Sequence, residues 1–172
     1  MDYITHYSSP LGRMTLVSNG EELTGLWFER QKNSSVALDS VAHDKDDLPV
    51  FQETIRWLNT YFRGKIPDFT PPIRMHGTAF RQMVWEILLT IPYGQTTTYG
   101  EIARRVASEK RVAVMSAQAV GGAVGHNDIA LIIPCHRVVG KNGSLTGYAA
   151  GLDKKAYLLK MEKETYERLM KD

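Results

Sequence analysis

The chain has 172 residues, 43% hydrophobic and 23% charged, with a net charge of +2 and a single cysteine. That length suits one ordinary domain or two small ones around a buried core, and no stretch approaches the roughly 20 apolar residues of a membrane helix. One cysteine cannot close an internal disulfide, the five histidines stand at no metal-ligand spacing, and the first residues lack a secretory pattern, so a soluble, cytoplasmic protein without metal or cofactor is expected.

In chain order, residues 3–7, 12–18 and 23–28 read as short strands separated by the turn signals SSPLG and SNGEE, which predicts an antiparallel hairpin or meander. Residues 31–48 are polar and aperiodic, the pattern of a loop. Residues 50–62 place Phe51, Ile55, Leu58 and Phe62 at the spacing of an amphipathic helix. Three prolines and two glycines in RGKIPDFTPPIRMHG then break the pattern, and the domain boundary is expected there, giving domains 1–75 and 76–172. Charge divides with it: residues 1–75 carry 8 Lys/Arg against 10 Asp/Glu, residues 76–172 carry 13 against 9. The basic half is the better candidate for a polyanionic partner, although a solvated charged face explains so small an excess equally well.

The second half reads as helical. Thr78 can cap a helix through Thr90 with Phe80, Val84, Ile87, Leu88 and Ile91 buried, and Ile91-Pro92-Tyr93-Gly94 ends it. Thr98 can cap a second helix carrying Ile102, Ala103 and Val106, followed by a linker over residues 108–114 and a third helix over residues 115–124. Two short helices joined by a turn are the outline of a helix-turn-helix, which is also a common packing unit. The third helix is unusual in being built from Ser116, Ala117, Ala119, Gly121, Gly122 and Ala123, which cost helix propensity and let a backbone approach something closely. Only Gln118 could read a base edge, so any DNA contact there would carry little sequence preference, as minor-groove binding does.

Residues 130–133 read as an apolar strand and residues 138–139 as the start of another, with Pro134-Cys135-His136-Arg137 at the bend between them. Cysteine is among the most often buried residues, and one neighbouring histidine does not make it reactive. On these residues alone, core filler and working thiolate stand about even.

Pro134-Cys135-His136-Arg137-Val138-Val139 resembles the signature of the O6-alkylguanine-DNA alkyltransferases. The likeness continues through Gly77 to Trp85, Ile91 to Gly94, Thr98 to Ala103, Ala119 to Ala123, Asn127, Gly143, Thr146 to Tyr148 and Leu158 to Glu162. Ser8-Ser9-Pro10-Leu11-Gly12 resembles the opening of the family's N-terminal domain, and the likeness is loosest over residues 30–50. It implies an α/β N-terminal domain, ribonuclease-H-like with an antiparallel sheet, and a mainly α C-terminal winged helix-turn-helix domain. It also implies a monomer that binds double-stranded DNA in the minor groove, flips an O6-alkylguanine out of the stack and takes the alkyl group irreversibly onto its own cysteine, once per molecule. O4-alkylthymine is a possible second substrate.

The resemblance assigns roles residue by residue. Cys135 is the acceptor, His136 the base acting through a water, Glu162 its orienter and Asn127 the holder of the active-site segment. Tyr99 turns the lesion's 3′ phosphate and supplies a proton to the leaving guanine. Val138, Tyr148 and Ala149 line the base pocket, with backbone groups at Cys135 and Val138 reading its edge. Ser116, Ala117, Ala119 and Gly121 form the DNA-facing helix, on which Gln118 stands where many members have an intercalating arginine. Arg111, in a stretch a few residues longer than usual, is a candidate phosphate contact, and Ala150 replaces a more usual glycine at the pocket rim. The competing classes are a lesion-binding protein without transfer, a Cys-His hydrolase and a transcription regulator; the first would replace Cys135, the second leaves Tyr99 and the small-residue helix without a role, and the third lacks a dimerisation helix and base-reading side chains.

Overall fold

The computed structural model describes residues 1–29 and 42–171, and the chain divides into two units: Met1–His76 with Asp128–Ala130, and Gly77–Asn127 with Leu131–Asp172. In the first unit, β1 (Asp2–Ser9), β2 (Gly12–Ser18) and β3 (Leu23–Phe28) form the antiparallel meander that the turn signals predict, with Ser9 opposite Gly12 at the tight turn. A fourth strand, β4 (Ala42–Asp44), joins the free edge of β1 in parallel, so the order is β3-β2-β1-β4 and the sheet is mixed rather than purely antiparallel. Three residues with no apolar alternation carry no strand signal of their own, and their pairing is set by the open edge of β1. Most of the polar stretch expected to be a loop, residues 30–41, lies outside the described residues.

Helix α1 (Pro49–Phe62) begins on a proline, whose missing N–H costs nothing in a first turn. Its buried face is Val50, Phe51, Thr54, Trp57, Leu58 and Tyr61, so the stripe is rotated from the expected one and Ile55 and Phe62 lie at its margin. Thr54 is tolerated there because its hydroxyl donates to the carbonyl of Val50 (2.7 Å). Asp128–Ala130 belong to this unit through β3: the Leu26 N–H donates to the Asp128 carbonyl and the Ala130 N–H to the Leu26 carbonyl, both at 2.8 Å.

The second unit is mainly helical. α2 (Ala79–Leu88) starts where Thr78 accepts the Arg81 N–H at 3.1 Å, and it stops two residues earlier than expected. Thr90 and Ile91 reach back only three residues, to Ile87 and Leu88, because Pro92 disfavours helical backbone at the residue before it. β5 (Thr97–Thr98) leads directly into α3 (Tyr99–Lys110), where Thr98 accepts the Glu101 N–H at 3.1 Å as its cap. α3 ends at Arg111, left-handed at φ 56°. α4 (Ala117–Gly125) starts two residues later than expected, since Ser116 spends its hydroxyl on the Ala119 N–H (3.2 Å).

α4 buries Val120, Ala123 and Val124 against α2 and α3, and the indole of Trp85 on α2 donates to the Ala123 carbonyl at 2.8 Å. The opposite face, with Ala117, Gln118, Ala119 and Gly122, is exposed. Beyond α4 the expected strand over residues 130–133 is a buried turn instead, with Leu131 at φ 69°; an apolar run marks burial there, not extension. The 3-10 turn Cys135–Arg137 follows, then β6 (Val138–Val139), paired in parallel with β5, and finally α5 (Leu152–Met170).

The rotated stripe of α1 gives a direct test. Leu58→Ala, at a fully buried position, should cost about 2–5 kcal/mol in urea denaturation, and Ile55→Ala clearly less.

Candidate active site

Three segments of the second unit converge on one carboxylate. Glu162, on the third turn of α5, is 1% exposed and receives hydrogen bonds from the other two. From the 3-10 turn come His136 Nε2 at 2.5 Å to Oε2 and the Arg137 fork, with Nε to Oε1 at 2.7 Å and Nη2 to Oε2 at 3.2 Å. From the turn after α2 comes the Gly94 N–H, at 3.2 Å to Oε1. Gly94 is at φ 81°, and a Cβ there would lie 2.6 Å from the Cβ of Tyr166, so the turn has room only for glycine. Arg137 also donates to the carbonyl of Ile91 at 2.8 Å and lies over the ring of Tyr93.

These contacts decide the charges. Burial alone would push the Glu162 carboxyl up, but His136 and Arg137, through charge and hydrogen bonds, outweigh it and hold the group far below the ordinary carboxylate range. For His136, burial is the largest influence and wins over the attraction of Glu162, so its pKa falls below the usual value. At neutral pH the imidazole is therefore uncharged, and since a carboxylate can only accept, the ring proton sits on Nε2. Nδ1 is then a bare lone pair, buried and with no hydrogen-bond partner among the described residues. A neutral imidazole, fixed in orientation and tautomer with one nitrogen open, has the chemistry that a general base requires.

Cys135 precedes it in the same turn and is buried. Burial pushes its thiol above the ordinary value, against weaker opposing influences from the Asn127 side chain, Lys155 and the backbone N–H groups of Cys135 and His136. The thiol is thus protonated at rest and needs a base to react. Asn127, 3% exposed, donates Nδ2 to the Ile133 carbonyl at 2.8 Å, which ties the buried turn ahead of Cys135 to the end of α4. The expected grouping of Cys135, His136, Glu162 and Asn127 is therefore present as one buried cluster.

The other expected residues lie on β6, on the segment ahead of α5, and on α3 and α4. Val138 is fully buried in β6, and its N–H closes the 3-10 turn on the Cys135 carbonyl. Tyr148 and Ala149 are half-buried ahead of α5, and the Tyr148 hydroxyl is a buried polar atom without a hydrogen-bond partner among the described residues; burial above all keeps its phenol protonated. Tyr99 is the first residue of α3; its hydroxyl accepts from Thr146 at 3.4 Å, and a Cβ on Gly121 would meet its ring at 3.9 Å. Gln118, Ala117 and Ala119 lie exposed on the first turn of α4, Ser116 is occupied as its cap, and Arg111 is exposed at the end of α3.

Two residues were not singled out as site residues. Arg137 lay inside the quoted motif but received no role, and it forms the second half of the Glu162 clamp. Lys155 is fully buried, with Nζ donating to the carbonyls of Thr146 at 2.6 Å and Gly147 at 3.3 Å, although a lysine between Lys154 and Ala156 on an amphipathic helix reads as solvated.

Glu162→Gln should cost about 3–5 kcal/mol at neutral pH, because it leaves the Arg137 charge buried without a counter-charge. A carboxyl held below its unfolded pKa adds stability above about pH 4.3, and that stability is lost as the pH falls towards the folded value. Urea titrations over a pH series should therefore show the gap between wild type and variant narrowing below about pH 4.

Both parts of the chain have known relatives. Residues 3–75 match the family described as 6-O-methylguanine DNA methyltransferase, ribonuclease-like domain, and residues 79–164 the one described as 6-O-methylguanine DNA methyltransferase, DNA binding domain. The methylated-DNA–protein-cysteine methyltransferase of Haemophilus influenzae is 44% identical over 95% of this chain and 88% of its own length. That of Methanosarcina acetivorans is 41% identical over 93% and 97%. The crystal structure of Mycobacterium tuberculosis OGT in complex with DNA superimposes with a TM-score of 0.82 at 40% identity, covering 95% of this chain and 94% of that one. The chain belongs to the 6-O-methylguanine DNA methyltransferase family.

Proposed function

We propose that this protein repairs O6-alkylguanine in duplex DNA by moving the alkyl group onto Cys135. The observation that carries the proposal is the buried Cys135 beside a neutral His136 whose Nε2 proton is fixed on Glu162. A water between Nδ1 and Sγ passes the thiol proton to His136, and the thiolate attacks the alkyl carbon. The C–S bond forms as the C–O6 bond breaks, and the electron pair leaves with guanine. Tyr99 supplies a proton to the purine; because its oxygen accepts from Thr146, its own hydrogen is available to the substrate. The thioether has no hydrolytic route back, so each molecule acts once.

A carbon on O6 is out of reach inside a stacked duplex, so the base must be extruded into the space beside Val138, Tyr148 and Ala149. In this reading α3 and α4 are the helix-turn-helix, the β5–β6 pair stands at its wing, and the first unit is a ribonuclease-H-like support. The exposed first turn of α4, small except for Gln118, meets the minor groove of a monomer's DNA site without sequence preference, Gln118 fills the gap left by the flipped base, and Arg111 reaches a phosphate. O4-alkylthymine presents a comparable alkyl–oxygen bond and is a second candidate substrate. A protein that repairs chromosomal DNA without a membrane step would work in the cytoplasm.

Mixing the protein with a short duplex carrying one O6-methylguanine should place one methyl group on the Cys135 peptide by mass spectrometry, saturating at one equivalent. Cys135→Ala should take none; continued turnover, or intact lesion with unmodified protein, would refute the reading. Tyr99→Phe should bind the duplex normally and transfer about a hundredfold or more slowly. Gln118→Arg should bind the lesion duplex more tightly than wild type in a salt titration.

A further inference from the structure

Residues 111–114, the turn between α3 and α4, form a surface that the proposed reaction uses only at Arg111. Val112 is 46% exposed, Val114 is 81% exposed, and Ala113 between them is exposed as well. The turn is held by its own backbone. The Arg111 N–H donates to the Ser108 carbonyl at 3.2 Å and the Val112 N–H to the Ala107 carbonyl at 2.9 Å, the paired bonds of a Schellman end. Glycine is the usual residue at the left-handed position of that motif, yet here Arg111 takes it at φ 56° and ψ 40°, a conformation strained for any side chain. Three consecutive apolar residues left in water on a fixed backbone are a liability unless something covers them.

Charge limits what that cover is. Residues 104–111 hold Arg104, Arg105, Lys110 and Arg111 against Glu109 alone, all five exposed, and residues 112–125 hold no charged side chain. An apolar strip with cations at one border and no acid within it fits a ligand that is anionic along one edge and apolar beside it. The DNA backbone has that profile, since its phosphates carry the charge and the deoxyriboses between them turn carbon faces to the minor groove. Four residues of chain span at most about 14 Å, so Val114 lies within that distance of Gln118 and one duplex can serve both.

We propose that Val112, Ala113 and Val114 are an apolar strip that packs on deoxyriboses in the minor groove of duplex DNA, beside the place where Gln118 enters and with Arg111 on the adjoining phosphate. The inference rests on the reading in which the exposed first turn of α4 faces duplex DNA. The strip reads no base, and its effect is grip: it removes apolar area from water when DNA binds, a contribution that salt does not weaken, beside phosphate contacts that salt does weaken.

Fluorescence-anisotropy titration of an undamaged duplex over a salt series separates the two kinds of contact. Val112→Ser/Val114→Ser should bind about tenfold more weakly at every salt concentration, with the slope of log affinity against log salt unchanged. Arg111→Ala should lose affinity with the slope flattened by about one. Hydroxyl-radical cleavage, which attacks deoxyriboses from the minor groove, should show wild type protecting sugars that the double variant leaves open. Equal affinity and an equal footprint for the folded double variant overturn the proposal, and so does a loss that appears only as a flatter slope. Wild type that sediments as a dimer, with a monomeric double variant, overturns it as well by giving the strip to a second copy of the chain. Should the double variant not fold, Val114→Ala, at the more exposed position, carries the same measurements with a loss of about threefold expected. None of them needs a lesion, so a protein that shows the strip effect but takes no methyl group refutes the alkyl-transfer reading and leaves this one standing, whereas wild type that binds no duplex overturns both.

Discussion

A single buried carboxylate organises the second unit. Glu162 gathers hydrogen bonds from a histidine, an arginine and a backbone N–H that come from two turns far apart in the chain. Removing such a charge from water costs several kcal/mol, and the cost is offset only when every lone pair finds a donor. Here the fork of Arg137 supplies charge and two donors, and Gly94 supplies a third without a side chain to block the approach. What remains for His136 is a single oxygen, and that contact selects which ring nitrogen carries the proton. The fold thus pays for chemistry: an apolar cluster of similar volume would hold α5 as well, but it would leave the imidazole free to rotate and to hold its proton on either nitrogen.

The same low-dielectric surroundings explain why the thiol waits. Burial raises the pKa of Cys135 and lowers that of His136, so the resting pair is thiol and neutral imidazole, not thiolate and imidazolium. Proteins that hold a permanent thiolate do so with a standing cation or a helix N-terminus at the sulfur. Lys155 favours the thiolate here, but less than desolvation disfavours it. A protonated thiol is less exposed to oxidation and to stray electrophiles, which suits a group that can be used only once. In the proposed reaction the entry of a flat base, closing the site to water, strengthens the electrostatic influence of every remaining charge on the sulfur.

Much of the local structure is legible in the chain because single residues carry it. Thr78, Thr98 and the SSPLG turn each announce their element, and Cys135, His136, Asn127 and Glu162 were expected together from the likeness of their motifs and are found together. The misreadings share one cause: burial and extension are different properties. The run before Pro134 is apolar because it is buried, yet it turns, with Leu131 in left-handed backbone. The stripe of α1 includes Thr54, whose hydroxyl is satisfied within its own helix and so counts as apolar in the core. β4 has no alternation to read, and its place depends on an edge formed forty residues earlier. Arg137 and Lys155 were missed for the opposite reason, since a charged residue reads as solvated unless its partner is already known.

The small residues of α4 show how one composition can serve two ends. Along the face turned inward, Ala123 lets the Trp85 indole reach a helix carbonyl, and a Cβ on Gly121 would make an ordinary contact with the Tyr99 ring at 3.9 Å. Along the outer face Ala117, Ala119 and Gly122 fill no core, and a Cβ added at Gly122 would meet nothing within 4 Å. Glycine costs about 1 kcal/mol of helix propensity relative to alanine at an exposed position, and packing repays none of it there. Among the described residues nothing packs on this smooth outer surface, and it suits the proposed function, in which α4 lies against duplex DNA.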